Sequence, residues 1–195
     1  MNVFFAALIL SGSVLGLFLS LAIGGTSFFR SKANTYLSIS ILLLTIIMFL
    51  GWLNAETGIL NMIRAIMWEL LVPITLLSYF LAHLNHPFLK SKGYKLLYLP
   101  FIISLVIDVV LELDFSMNVY KLPVTINSPV VQIIFSIETW LAILLELISM
   151  LGALLLITKS IIDTRVKRWL IRLNLMLLSI VFLWLIQELL GLFSF

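Results

Sequence analysis

The chain has 195 residues, of which 63% are hydrophobic and only 11% charged, with a mean hydropathy of +1.22 and a formal net charge of +3. A soluble domain of this length carries roughly a quarter charged residues, so water is excluded as the main solvent and a membrane-embedded fold is expected. Cysteine is absent, which excludes disulfides, thiolate metal sites and a cysteine nucleophile together.

A hydrocarbon core of ~30 Å takes about 20 apolar residues per helical crossing. Six apolar segments separated by polar breaks fit that length: 2–25, 35–53, 59–84, 95–112, 130–158 and 169–193. Each is predicted as a transmembrane helix, giving an all-α, polytopic helix bundle in a single membrane domain. The opening Met1-Asn2-Val3-Phe4-Phe5 lacks the basic stretch of a secretory signal. In the first segment Gly12, Gly16, Ser20 and Gly24 recur every four residues, which puts small residues on one stripe of a helix. Hydrocarbon gives little solvophobic drive between helices, so such stripes serve close backbone contact. Packing within the bundle is the common use; the face of a homodimer is the other.

The third segment carries Arg64, Trp68 and Glu69, and ends on His83 and His86. A metal site would need further ligands beside the two histidines, and Asn85 and Lys90 do not offer them, so a solvated helix end is expected. The fourth segment begins near Pro100, which is tolerated at a helix N-terminus, and holds Asp108. From Leu113 to Asn127 runs a loop with Phe115, Met117, Tyr120 and Lys121, long enough to act as a lid. Ser128 followed by Pro129 is a helix-start signal for the fifth segment, which holds Glu138, Trp140 and Glu146 and is long enough for its far end to leave the membrane. Lys159, Arg165, Lys167, Arg168 and Arg172 follow. The sixth segment holds Trp184 and Glu188.

Basic residues decide orientation. Ten of the twelve Lys and Arg residues fall in the loops after the first, third and fifth segments: Arg30, Lys32, Lys90, Lys92, Lys95, Lys159, Arg165, Lys167, Arg168 and Arg172. Only Arg64 and Lys121 fall on the opposite side. Positive residues stay in the cytoplasm, so the N-terminus is expected outside, in a bacterial cytoplasmic membrane. The last basic group is a candidate lipid-headgroup belt, since each charge near an anionic leaflet is attracted to it. Six crossings from an outside start leave Phe195 outside, yet the chain is still apolar at Gly191-Leu192-Phe193-Ser194-Phe195. Two endings remain open: a short terminus lying in the headgroup layer, or a seventh crossing into the cytoplasm.

A charged side chain at the bilayer centre costs around 3 kcal/mol on insertion scales, and its default reading is functional. Glu69, Asp108, Glu138, Glu146 and Glu188 all lie in apolar segments, most of them toward the outer half. Trp68, Trp140 and Trp184 share one depth beside three of these acids. If their helices are neighbours, the set forms an outward pocket for a small cationic ligand, through charge and aromatic faces. Arg64 could cap that pocket and bind an anionic group instead, or it could neutralise one of the glutamates. The alternative is packing alone: protonated, hydrogen-bonded carboxyls between helices and interfacial indoles. No catalytic set stands out. Neither histidine is near the acids for a serine–histidine arrangement, there is no HExxH and no glycine-rich phosphate loop, and no cofactor is expected.

Several short stretches resemble the N-terminal multi-helix membrane region of bacterial AraC-type helix-turn-helix transcriptional regulators. They are Lys32-Ala33-Asn34-Thr35-Tyr36-Leu37, opening the second helix, and Val72-Pro73-Ile74-Thr75-Leu76-Leu77-Ser78-Tyr79, similar to a Gly-Pro-Leu-Leu-Tyr run with Val72 where glycine is usual. Leu99-Pro100-Phe101 and Lys167-Arg168-Trp169-Leu170 fit the heads of two later helices. The resemblance implies a membrane sensor whose DNA-binding domain and seventh helix are not in this sequence, so DNA would be a partner only through that missing domain. Three other roles fit a six-helix chain: the substrate-binding subunit of a small-solute transporter, the input region of a sensor histidine kinase, and an accessory subunit of a membrane complex. The first of these requires both termini inside, against the charge count.

Overall fold

The computed structural model describes residues 3–29, 31–53, 59–117, 119–122, 125 and 128–193. The expected helix start at residue 2, the basic Arg30, positions 118, 123, 124, 126 and 127 of the expected lid, and the chain end at 194–195 lie outside the described residues. Within them the fold is helical throughout: α1 (Val3–Gly25), α2 (Lys32–Trp52), α3 (Ile59–Ala65), α4 (Val72–His83), α5 (Lys92–Leu96), α6 (Leu99–Met117), α7 (Pro129–Lys159) and α8 (Thr164–Phe193), with short 3-10 turns at Ser27–Phe29, Trp68–Leu70 and Pro87–Lys90. Five helices are long and apolar enough to cross a membrane.

Serines start three of these helices. Ser31 accepts from the Asn34 N–H at 3.0 Å, Ser91 from Tyr94 at 3.1 Å and Ser128 from Val131 at 3.4 Å, each satisfying a donor that the first turn leaves orphaned. The Ser128 start was legible; the Ser31 cap moves α2 three residues ahead of its expected beginning. At the other end of α4, Asn85 adopts a left-handed conformation (φ 49°) that stops the helix.

The third segment corrects the expectation of one continuous helix over 59–84. It is broken into α3, the Trp68–Leu70 turn and α4. Pro73 has no N–H to give the Glu69 carbonyl, and its ring crowds that carbonyl, so a helix arriving from Ile59 cannot run through unchanged. Met67 leaves the helical region altogether, at φ −77° and ψ 73°. The sixth segment also differs: α8 begins at Thr164, not at 169. Asp163 accepts the Arg165 N–H at 2.7 Å and the Val166 N–H at 3.4 Å, capping a helix that takes in Arg165, Lys167 and Arg168, expected as loop. The fourth segment continues past 112 to Met117, which carries Asp114 and the expected lid residues Phe115 and Met117 into helix.

α4 is the hub. Every residue from Val72 to Leu81 is buried, packed against Ala33 and Leu43 of α2, Met150, Ala153 and Ile157 of α7, and Leu170 of α8. α1 lies along α2 and α8 along α7, so the order across the bundle is α1, α2, α4, α7, α8. The outer helices leave large apolar side chains bare: Leu15 is 68% exposed, Phe18 67%, Met176 67% and Leu183 67%. In water such surfaces would aggregate; against lipid tails they are at home. α6 stands apart, packed chiefly on α3 and on the Trp68–Leu70 turn.

Because lipid removes most of the solvophobic drive, contact and interhelical hydrogen bonds set the packing. The small-residue stripe of α1 faces α2. A Cβ added at Gly16 would collide with the Thr45 side chain, and one at Gly24 would sit 2.6 Å from the Ser38 hydroxyl. That closeness lets the Ser20 hydroxyl donate to the Ser38 carbonyl (2.9 Å) and the Ser38 hydroxyl donate to the Ser20 carbonyl (2.8 Å). Farther in, Ser40 donates to Thr75 at 2.9 Å across α2 and α4, and Asn174 donates to the Met150 carbonyl at 3.1 Å across α8 and α7.

Overpacking at such a contact is expected to lower stability by about 1–3 kcal/mol. Gly16→Leu should therefore depress the thermal unfolding midpoint of the chain in nanodiscs. Gly152→Ala, where an added Cβ meets nothing, should leave the midpoint unchanged or raise it, since helix propensity favours alanine by up to about 1 kcal/mol. Equal midpoints for the two variants would show that the α1–α2 contact does not matter.

Candidate functional site

The helix break frees backbone groups that an unbroken helix would pair, chief among them the Met67 N–H and the Ile63 carbonyl, partners four residues apart. In an apolar medium each needs a replacement partner. Met67 donates its N–H to Asp108 Oδ2 of α6 at 3.0 Å. The Ile63 carbonyl accepts from the Trp68 indole Nε1 at 2.8 Å. Trp68 also rests its ring on Phe101 of α6, centroids 6.0 Å apart. Two of the side chains expected to meet a ligand thus first of all close the break.

Asp108 belongs to a polar stripe on α6 made by Ser104, Asp108, Glu112 and Ser116, four residues apart and so on one face. Ser104 donates to Asp108 Oδ2 at 3.3 Å. Glu112 Oε1 accepts from both Asn61 of α3 and Ser116, each at 2.6 Å. Between the stripe and α3 lies a cleft of about 290 Å³, lined by Asn61, Arg64, Ala65, Asp108, Leu111, Glu112, Phe115 and Phe135. Arg64 is exposed at this cleft, its guanidinium reaching the Leu53 carbonyl at 3.4 Å.

Of the side chains expected to form one pocket, the cleft brings together Arg64 and Asp108. Glu138, on α7, is buried within electrostatic range of Asp108 and beside Ser104. Glu69 is half-buried in the turn, also within range of Asp108. The other members lie elsewhere. Trp140 is two residues from Glu138, about 200° around the helix. Trp184 donates to Glu188 at 3.3 Å along α8, and neither lines the cleft. Glu146 is buried farther along α7. Asn61, Ser104, Glu112 and Phe135 were missed. The four-residue recurrence on α6 was visible in the sequence and could have found Ser104 and Glu112; nothing local could have found Asn61.

The described part of the expected lid is tied down. Asp114, itself buried, accepts the N–H groups of Tyr120 (2.7 Å) and Leu122 (2.9 Å), with Lys121 between them in a left-handed conformation. At the other end of the bundle the basic group is partly committed to structure. Lys167 Nζ donates to the Thr158 carbonyl at 2.6 Å and the Ser160 carbonyl at 3.1 Å, neutralising carbonyls that the end of α7 leaves free. Arg168 turns back to the Thr164 carbonyl at 3.3 Å. His83 stacks on Tyr79, centroids 5.2 Å apart, and His86 accepts the Phe88 N–H at 3.3 Å, so both rings serve the local fold.

No family model, curated protein or solved structure matches the chain.

Removing the acceptor at position 108 should expose the cost of the break. Asp108→Ala is expected to destabilise the fold by about 1–3 kcal/mol, the penalty for an orphaned buried donor, and to speed amide exchange at Met67. Asp108→Asn keeps a carbonyl oxygen for that N–H and should lose less. Hydrogen-exchange mass spectrometry on peptides covering 63–71 checks both, and unchanged exchange in the alanine variant would remove Asp108 from this role.

Proposed function

We propose that the chain is a membrane-embedded sensor region that binds a small ligand in the α3–α6 cleft and relays its presence across the bilayer. The observation that carries this reading is a partly polar cleft of about 290 Å³ placed against a discontinuous helix. Non-helical backbone at membrane depth is tolerated where it lines a cavity or is buried in protein, and broken helices recur where membrane proteins hold small solutes. In this reading the chain crosses six times. α2 starts beside Lys32 and α6 is reached from Lys90, Lys92 and Lys95, so the chain must return between them, and α3, the turn and α4 make that third, broken crossing.

The positive-inside rule then puts the Lys90–Lys95 and Lys159–Arg172 ends in the cytoplasm of a bacterial cell and the N-terminus outside. The cleft residues lie toward the opposite ends of α6 and α7, so the cleft opens outward. α7 supplies the relay: its 31 residues span about 46 Å at ~1.5 Å per residue, of which about 36 Å separate Phe135 at the cleft from Lys159 at the basic end. The resemblance to the membrane regions of AraC-type regulators fits such a relay feeding a cytoplasmic DNA-binding domain, which after six crossings would have to be reached through a seventh, and makes a one-component transcriptional regulator the favoured context. The helix break favours one other reading, a solute-binding subunit of an importer, which would require both termini inside.

The absence of native cysteine makes the topology directly testable. In spheroplasts, a membrane-impermeant maleimide is expected to label Ala65→Cys without permeabilisation, and to reach Ser160→Cys only after it. The reverse pattern would invert the bundle, close the cleft to the outside and favour the importer.

A further inference from the structure

The cleft is incomplete in its hydrogen bonding. Asp108 is only 2% exposed; its Oδ2 accepts from Met67 and Ser104, while its Oδ1 has no partner. Glu138, 6% exposed, likewise has an Oε1 with no partner. A buried acceptor left unsatisfied costs about 1–3 kcal/mol, and more if charged, so two close together on facing helices call for a donor from outside the chain. Arg64 does not supply it, being turned to the Leu53 carbonyl. A bare divalent cation fits poorly. Calcium takes about six to eight oxygen ligands, and among the described residues no group of three or more His, Cys, Asp or Glu side chains could hold a metal. An organic ammonium brings three N–H donors on one charged atom and asks for few carboxylates. Beside the acids, Leu111 and Phe115 on α6 and Phe135 on α7 add apolar lining, and aromatic faces add attraction for a cation.

We propose that the cleft binds a small molecule joining a protonated primary amine to an apolar body, the ammonium donating to Asp108 Oδ1 with Glu138 as the second carboxylate, and the body lying against Phe115 and Phe135. The proposal rests on the cleft being a ligand site, as argued above. A volume of about 290 Å³, at the lower edge of the range for small-molecule sites, restricts the ligand to the size of an arylalkylamine.

The test uses the full chain in nanodiscs carrying Ala65→Cys, with maleimide labelling rate as readout. The probes are phenethylamine, phenethyl alcohol and phenylacetate, which share a ring and a short side chain and differ in charge. Phenethylamine should slow labelling at concentrations where the other two do nothing. Asp108→Asn should weaken that protection by roughly tenfold or more, the worth of a charge-assisted hydrogen bond, and Glu138→Gln should weaken it too, while Glu138→Gln keeps its thermal unfolding and Asp108→Asn stays folded at the assay temperature. Should Asp108→Asn fail to fold, Glu138→Gln decides alone. Equal protection by the alcohol, protection by phenylacetate alone, or full amine protection in the acid variants would overturn the amine proposal and leave the cleft as a ligand site of other chemistry. Protection by none of the three probes, with Ala65→Cys freely labelled, overturns the proposal as well. If Ala65→Cys resists maleimide with no probe present, the cleft is closed, and the site reading fails along with the amine.

Discussion

A backbone break inside hydrocarbon persists only when the groups it frees find partners, and the hydrogen bond from the Met67 N–H to Asp108 Oδ2 is the one that answers this need across helices. The Trp68 indole answers it locally, at the Ile63 carbonyl. Together they fix α6 against the third segment, and they explain why an aspartate can sit in an apolar helix at all. Its burial is compensated by an amide that would otherwise be stranded. The cleft follows from the same event, because a segment that bends at Ile66–Leu71 separates α3 from the line of α4 and leaves space beside α6.

The rest of the bundle is organised to hold α4 still. α4 is buried along its length, gripped by α2 on one side and α7 on the other, with α1 and α8 as outer layers facing lipid. In such a medium apolar area contributes little to association, and shape and hydrogen bonds decide. The reciprocal Ser20–Ser38 pair, the Ser40–Thr75 bond and the Asn174–Met150 bond each join neighbouring helices at one register. α6 has no comparable grip on α4 or α8. Its packing is chiefly with α3, which lines the cleft, and with the turn, so a ligand in the cleft would act on the joint that places α6.

Much of the architecture was legible because membrane crossing imposes a length and a polarity that composition reveals directly. The bounds of α1 and α7 fell close to expectation, and Ser128-Pro129 marked its helix start. The third segment was misread for a physical reason. Hydropathy averaged over 59–84 stays apolar, and it registers neither the missing N–H of Pro73 nor the partner that makes a break affordable, since Asp108 lies 41 residues on from Met67. The basic stretch before α8 was read as loop because charge dominates a hydropathy window, whereas Asp163 makes it helix. For the site, single buried acids were visible as anomalies, and Asp108 and Arg64 both line the cleft. Matching tryptophans by depth alone was misleading, because depth along a helix does not specify azimuth: Glu138 and Trp140 share a depth and point apart.

The connection from cleft to basic end runs through α7, and its geometry bears on what a bound ligand could accomplish. A ligand shifts a conformational equilibrium only by its differential affinity for the two states, so it must touch something that differs between them. Phe135 lines the cleft and Glu138 lies one turn farther along the same helix. Below them Met150, Ala153 and Ile157 are locked into the α4 core, a fulcrum that a rigid helix can tilt about but not slide past. At its far end the Thr158 carbonyl, together with that of Ser160 just beyond the helix, is clasped by Lys167 of α8, so a tilt of α7 would carry the first turns of α8 and their arginines with it. A ligand confined between α3 and α6 without contact to α7 would have no such handle. The unpartnered Glu138 oxygen beside the cleft is therefore the atom on which binding and relay would have to converge.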